Sequence, residues 1–186
     1  MKIIFLDFDG VITHPESGWR IDQKKVKLVE KIIKATDAKI VISSSWAIGS
    51  KDAEAFIKHN LSEKLLNTLF AKSIFSVVQQ ARYWDDSRGQ QIERWLNEHE
   101  NEVENYVILD DDSDMLESQL FNFVQTDTFF GMSDRTVDLA VKILNNKRIE
   151  QPVRLNMELM LRWYERNAGR ESNIDDLLDE YYKKNR

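Results

Sequence analysis

The chain contains no cysteine. Disulfides, thiolate metal ligands and a cysteine nucleophile are therefore excluded, and redox chemistry says nothing about compartment. Histidine is sparse too: His14, His59 and His99 are scattered along the chain. Only two prolines, Pro15 and Pro152, interrupt the 186 residues. Long apolar runs are missing; the N-terminal IIFL (3–6) is followed at once by carboxylates, so it reads as neither a signal peptide nor a membrane span. An excess of basic charge is also lacking. The balance of 32 acidic to 26 basic side chains, net -6, argues against broad attraction to nucleic-acid phosphates or anionic membranes and leaves room for a local basic groove. These absences lead to the expectation of a soluble, cytoplasmic protein with one well-filled core and a tail.

What is present is a repeated pattern. KIIFLD (2–7), AKIVISSS (38–45), NYVILDDD (105–112) and FNFVQTD (121–127) are short β-branched or aromatic runs without alternation, each ending in small polar or acidic residues. Uninterrupted apolar strands suit a parallel sheet covered on both faces. Between them, QKKVKLVEKIIKAT (23–36) sets Val26, Val29, Ile32 and Ile33 on one helical face, and GQQIERWLNEHENE (89–102) does the same with Ile92, Trp95 and Leu96. Further helices are expected over 51–60 and LSEKLLNTLF (61–70), in a segment from Trp46 to Asp86 longer than one crossover needs. Alternation of strand and helix predicts an α/β, doubly wound, three-layer Rossmann-like parallel sheet. Beyond about residue 147 the composition shifts to two amphipathic stretches split by Gly169. The expected organisation is a domain over 1–146 and a helical extension over 147–186 that packs on the sheet domain or on a partner.

In an open parallel sheet, ligands bind beyond the carboxyl ends of the strands. Here those ends carry Asp7, Asp9 and Gly10, then Ser43, Ser44 and Ser45, then Asp110, Asp111 and Asp112. Carboxylates brought together in one crevice repel unless a cation neutralises them. Oxygen ligands without histidine or cysteine select a hard ion, Mg²⁺ first. Taken singly, such aspartates more often end strands and cap helices. Asp85 and Asp86 follow no clear strand and read as a solvated turn. The combination of an apolar strand, Asp-x-Asp, Gly and a later strand ending in Asp-Asp is what lifts the first pair above that background.

DFDGV (7–11) resembles the first motif of the haloacid dehalogenase (HAD) superfamily of phosphotransferases, VILDDDSD (107–114) its acidic fourth motif, and IVISSSW (40–46) its second. SRGQQIERWL places Arg88 in the role of the third-motif cation, with Lys72 as the alternative. With FVQTDTFFGMSD (123–134), the order and spacing resemble the HAD domain of Swiss Army Knife RNA repair proteins over about residues 1–145.

The resemblance implies a phosphatase in which Asp7 attacks phosphorus to give an aspartyl-phosphate and Asp9 acts as general acid and base. It implies Mg²⁺ held by Asp7, Asp110 and the backbone carbonyl of Asp9, with Asp111 and Asp114 orienting the metal's surroundings; for Asp114 the alternative is a cap on the helix MLESQL. Ser43, with Ser44 as alternative, would bind a phosphoryl oxygen and Arg88 would offset its charge. His14 is expected in a solvated loop, and Trp19, Trp46 and Trp84 are expected to pack rather than to stack a substrate. The short VITHPESGWRID segment leaves a minimal cap and an open site. The expected substrate is a phosphorylated small molecule or a nucleic-acid end, with a protein partner or self-association through the C-terminal helices. The competing expectation is a non-catalytic HAD-fold binding module whose C-terminal helices dock a partner.

Overall fold

The computed structural model describes residues 1–47, 61, 65, 67, 69–71 and 86–145. The chain divides into two units, Met1–Arg148 and Ile149–Arg186, and every described residue lies in the first. The helices expected over 51–60 and in the C-terminal extension lie outside the described residues, as do Lys72, Trp84 and Asp85.

Five parallel strands form one sheet in the order β3-β2-β1-β4-β5: β1 (Lys2–Leu6), β2 (Lys39–Ile42), β3 (Leu69–Ala71), β4 (Asn105–Asp110) and β5 (Phe123–Gln125). Strand β1 is central, and Ile3 to Leu6 are all buried, as a strand covered on both faces requires. Strand β3 differs from expectation, since 61–70 reads as a helix. Leu65 and Asn67 are helical, but Leu69–Ala71 pairs with β2 as an edge strand. A three-residue strand is too short to show a period of its own.

Helices cover both faces. Helix α1 (Gln23–Thr36) starts where the Asp22 side chain accepts from Lys24 N–H at 2.8 Å, and it ends at Asp37, whose left-handed backbone (φ 56°) returns its N–H to Ile33 O. Its buried residues include Val26, Val29, Ile32 and Ile33, the predicted face. Helix α2 (Arg88–Glu98) begins in a reciprocal cap between Ser87 and Gln90. It stops before the expected Glu102 because His99 turns back, its ring stacked on Trp95 at 3.9 Å and its Nδ1 2.8 Å from Trp95 O. Helix α3 (Asp134–Leu144), capped by Ser133, packs against α1 and against β4 and β5.

Side chains of β1 alternate between the layers. Ile3 and Phe5 join Val41, Ile108 and Phe123 under Ile92 and Trp95 of α2, with Phe5 edge-on to Trp95 at 5.3 Å; Ile4 and Leu6 point to the opposite face. Burying such side chains contributes about 1.5–3 kcal/mol each. This core holds the carboxyl ends of β1, β2 and β4 level: Leu6 pairs with Ile42 and with Leu109, so Asp7, Ser43 and Asp110 follow in one row. No helix among the described residues is long and apolar enough to cross a membrane.

Candidate active site

Asp7 leaves β1 with its N–H bonded to Leu109 O, and Ser43 N–H bonds Leu6 O, so the row continues by one residue beyond the sheet. The chain then turns sharply. The N–H groups of Val11, Ile12 and Thr13 all converge on Phe8 O at 2.8–3.2 Å, with Gly10 in the left-handed region at φ 63°. A side chain at Gly10 would also strike Asp111, whose Cγ lies 2.3 Å from an ideal Cβ. Glycine is required here on both counts.

The turn, the end of β4 and the start of α2 bring the charges together. Single carboxylate oxygens of Asp7, Asp110 and Asp111 lie within 4.8 Å of one another. Arg88, the first residue of α2, sets Nη2 3.9 Å from Asp7 Oδ1 and Nε 3.6 Å from Asp110 Oδ2. Burial pushes the Asp7 carboxyl up, against the Arg88 guanidinium and the Ser44 hydroxyl, which pull it down. Asp110 is also raised, first by burial and then by the Asp7 charge, with Arg88 acting in the opposite direction. Asp111, half-buried, is raised by burial, while a hydrogen bond from Thr128 acts in the opposite direction. Asp110 Oδ2 is buried without a hydrogen-bond partner among the described residues. An all-oxygen group, with one buried lone pair unmet, fits a hard divalent cation.

The other expected residues sort by contact. Ser43 is fully buried and its hydroxyl has no partner among the described residues, which leaves it available to a ligand oxygen. Ser44 instead bonds the Asp7 carboxylate and accepts from Trp46 N–H at 3.4 Å. The Asp9 carboxylate is not one of the three in the acidic group; it is held by Thr13 Oγ1 at 2.7 Å and Trp46 Nε1 at 2.8 Å, and its charge acts on Asp111, while the group expected at the metal is its backbone carbonyl.

Asp114 neither joins the group nor caps a helix over MLESQL; the 3-10 turn there spans Glu117–Asn122 with Leu116 at its N-cap. Its carboxylate accepts Arg88 N–H at 2.7 Å, its carbonyl accepts Gly89 N–H, and Gln119, buried beside them, donates to Gly89 O at 2.8 Å. These three contacts fix the start of α2 and with it Arg88. Asp86 is likewise engaged, pairing with Arg94 rather than standing in solvent.

His14 is buried rather than solvated, its Nε2 3.1 Å from the Asp22 cap of α1. Trp19 is half-exposed. Trp46 does more than pack, for its ring meets Phe8 at 5.8 Å while its N–H reaches Asp9. The roles of Thr13, Trp46 and Gln119 were not legible beforehand, since each depends on a partner brought near by folding.

The turn after β5 lines the same edge. Thr126 Oγ1 donates to Gly10 O at 2.6 Å, Thr128 bonds Asp111, and Met132 N–H bonds Val11 O at 3.0 Å. On this anchored turn Phe129 and Phe130 are 66% and 61% exposed.

A central parallel strand ending in Asp-x-Asp-Gly, with a buried serine and an acidic pair on its neighbours and an arginine between, defines a HAD-type α/β domain. The chain belongs to the family described as the HAD domain in Swiss Army Knife RNA repair proteins, which matches residues 3–137. No curated protein and no solved structure matches it.

Proposed function

We propose that the chain is a Mg²⁺-dependent phosphomonoesterase that works through an aspartyl-phosphate on Asp7, with phosphorylated nucleic-acid ends or nucleotides as its substrates. The observation that carries this reading is the row of Asp7, Ser43 and Asp110 beyond the sheet, with Asp111 beside it and Arg88 3.9 Å from Asp7 and 3.6 Å from Asp110.

Asp7, Asp110, Asp111 and the carbonyl of Asp9 would hold the metal. When bound, Mg²⁺ shields the approach of a carboxylate to an anionic phosphate. The Asp7 carboxylate attacks phosphorus as the ester oxygen departs. The unpaired Ser43 hydroxyl donates to a phosphoryl oxygen, and Arg88 neutralises charge on the transferring group. Asp9 gives a proton to the departing alkoxide and recovers one from the water that hydrolyses the intermediate. The substrate class is supported by the family's description and by Phe129 and Phe130, whose exposed rings stand on the turn anchored to the turn after β1 and suit stacking on a base.

The test is phosphate release from p-nitrophenyl phosphate, nucleotides and 3′- or 5′-phosphorylated oligonucleotides, with Mg²⁺ or EDTA. Release that requires metal and disappears in Asp7→Asn is expected. Folded, Mg²⁺-supplied protein that releases nothing from any of them would overturn the reading.

A further inference from the structure

Each oxygen of the Asp9 carboxylate meets a side-chain donor within hydrogen-bond distance. Thr13 Oγ1 lies 2.7 Å from Oδ1, and Trp46 Nε1 lies 2.8 Å from Oδ2. The two contacts permit different things. An indole N–H can only donate, so the oxygen facing it is an acceptor. A hydroxyl donates and accepts. Thr13 Oγ1 also lies 3.1 Å from Phe8 O, so the hydroxyl is shared between that carbonyl and Asp9 Oδ1. The two contacts together fix the direction in which the Asp9 carboxylate points.

The clamp is built into the strand ends. Trp46 follows β2 within the short 3-10 turn Ser45–Ala47, its backbone N–H meets Ser44, and its ring lies edge-on to Phe8, 5.8 Å between centroids. Thr13 is fully buried, and its N–H is fixed on the same Phe8 carbonyl. Asp9 is thus restrained from the turns that follow two strands, β1 and β2.

We infer that Trp46 and Thr13 are positioning residues that fix the direction of the Asp9 carboxylate, thereby setting how well the protein expels poor leaving groups. The inference rests on the phosphomonoesterase reading. In the first step the Asp7 O–P bond forms, the ester O–P bond breaks, and a proton passes from Asp9 to the leaving oxygen. In the second, water attacks phosphorus, the Asp7 O–P bond breaks, and a water proton returns to Asp9. The sum is ester plus water giving alcohol plus phosphate.

A leaving group as stable as p-nitrophenolate departs with little help from a proton, whereas phenolate needs more, so displacement of the acid penalises the second more than the first. The experiment is kcat/KM across graded aryl phosphates from p-nitrophenyl to phenyl, for wild type, Trp46→Phe, Thr13→Val and Thr13→Ser, with thermal midpoints alongside. Trp46→Phe keeps an aromatic ring against Phe8 and removes the indole donor. In Trp46→Phe and Thr13→Val the loss on phenyl phosphate is expected to be about tenfold greater than on p-nitrophenyl phosphate. Thr13→Ser should restore the wild-type slope. Equal losses on all esters, or none, would overturn the inference while leaving the phosphatase reading intact. No release by the wild type from any ester would overturn that reading and the inference with it.

Discussion

The carboxylate row carries a cost that the individual residues expose. Asp7 and Asp110 are held above the ordinary carboxylate range, first by burial and, for Asp110, next by the charge of Asp7. For a group whose folded value is raised, stability is greatest when both states are protonated and is lost as pH rises through the folded value. Metal-free protein should therefore lose stability from these two groups as pH rises from below the unfolded carboxylate value toward neutrality. Asp7→Asn should raise the thermal midpoint in EDTA at neutral pH, by on the order of 1 kcal/mol in stability, while abolishing turnover. Differential scanning calorimetry in EDTA reads this, and a lower midpoint for Asp7→Asn would contradict it. Gly10 acts on the same cluster by its size. Gly10→Ala must either move Asp111 or leave φ 63°, so Mg²⁺ affinity measured by calorimetric titration should fall at least severalfold, with about 1 kcal/mol or more of stability lost.

Helix α2 delivers Arg88, and its position depends on what holds its first turn. Ser87 and Gln90 cap it from within, while Asp114 and Gln119 hold it from the β4–β5 connection. Asp114→Ala removes the acceptor of Arg88 N–H, a loss of about 1 kcal/mol for a capping contact. Because the same contact aims the guanidinium at Asp7 and Asp110, kcat should fall by roughly tenfold, more than that change in stability alone would explain. Asp114→Asn, which retains an acceptor oxygen, should recover most of the activity. A pair of variants with equal kcat would show that Arg88 is held by its own helix and needs no outside anchor.

Across the whole domain, the carboxyl edge of the sheet gathers the turn after β1, the end of β4 and the turn after β5, and the exposed Phe129 and Phe130 stand on the last of these. Phe129→Ala and Phe130→Ala remove stacking surface without entering the core. Each is expected to raise KM for a phosphorylated oligonucleotide severalfold, consistent with about 1 kcal/mol or more per stacked base, with little change for inorganic phosphate inhibition. Steady-state kinetics with both probes separates the effects. Unchanged KM for oligonucleotides of every length would remove these rings from substrate recognition.

Much of this architecture was legible because it depends on local chemistry. The unbroken apolar runs at 2–7, 38–45, 105–112 and 121–127 announce parallel strands, the face Val26, Val29, Ile32 and Ile33 announces α1, and Asp7, Asp9 and Gly10 after an apolar run announce a charged turn at a strand end. Periodicity and side-chain type report burial and charge directly, so no partner has to be known. Strand β3 escaped, since its three residues pair only because β2 lies beside them, and α3 was not assigned from its own segment. The finer site escaped for a related reason. Ser43 and Ser44 are adjacent and chemically identical, yet one is buried without a partner and the other bonds Asp7. Asp114 lies in an acidic run but serves a helix that begins 26 positions earlier, and Trp46 reaches back 37 positions to Asp9. The sequence by itself determined which strand ends would carry charge. Only the tertiary structure decided which donor meets which carboxylate, because hydrogen bonds are made at about 3 Å and the separations that produce them are set by sheet order and helix packing.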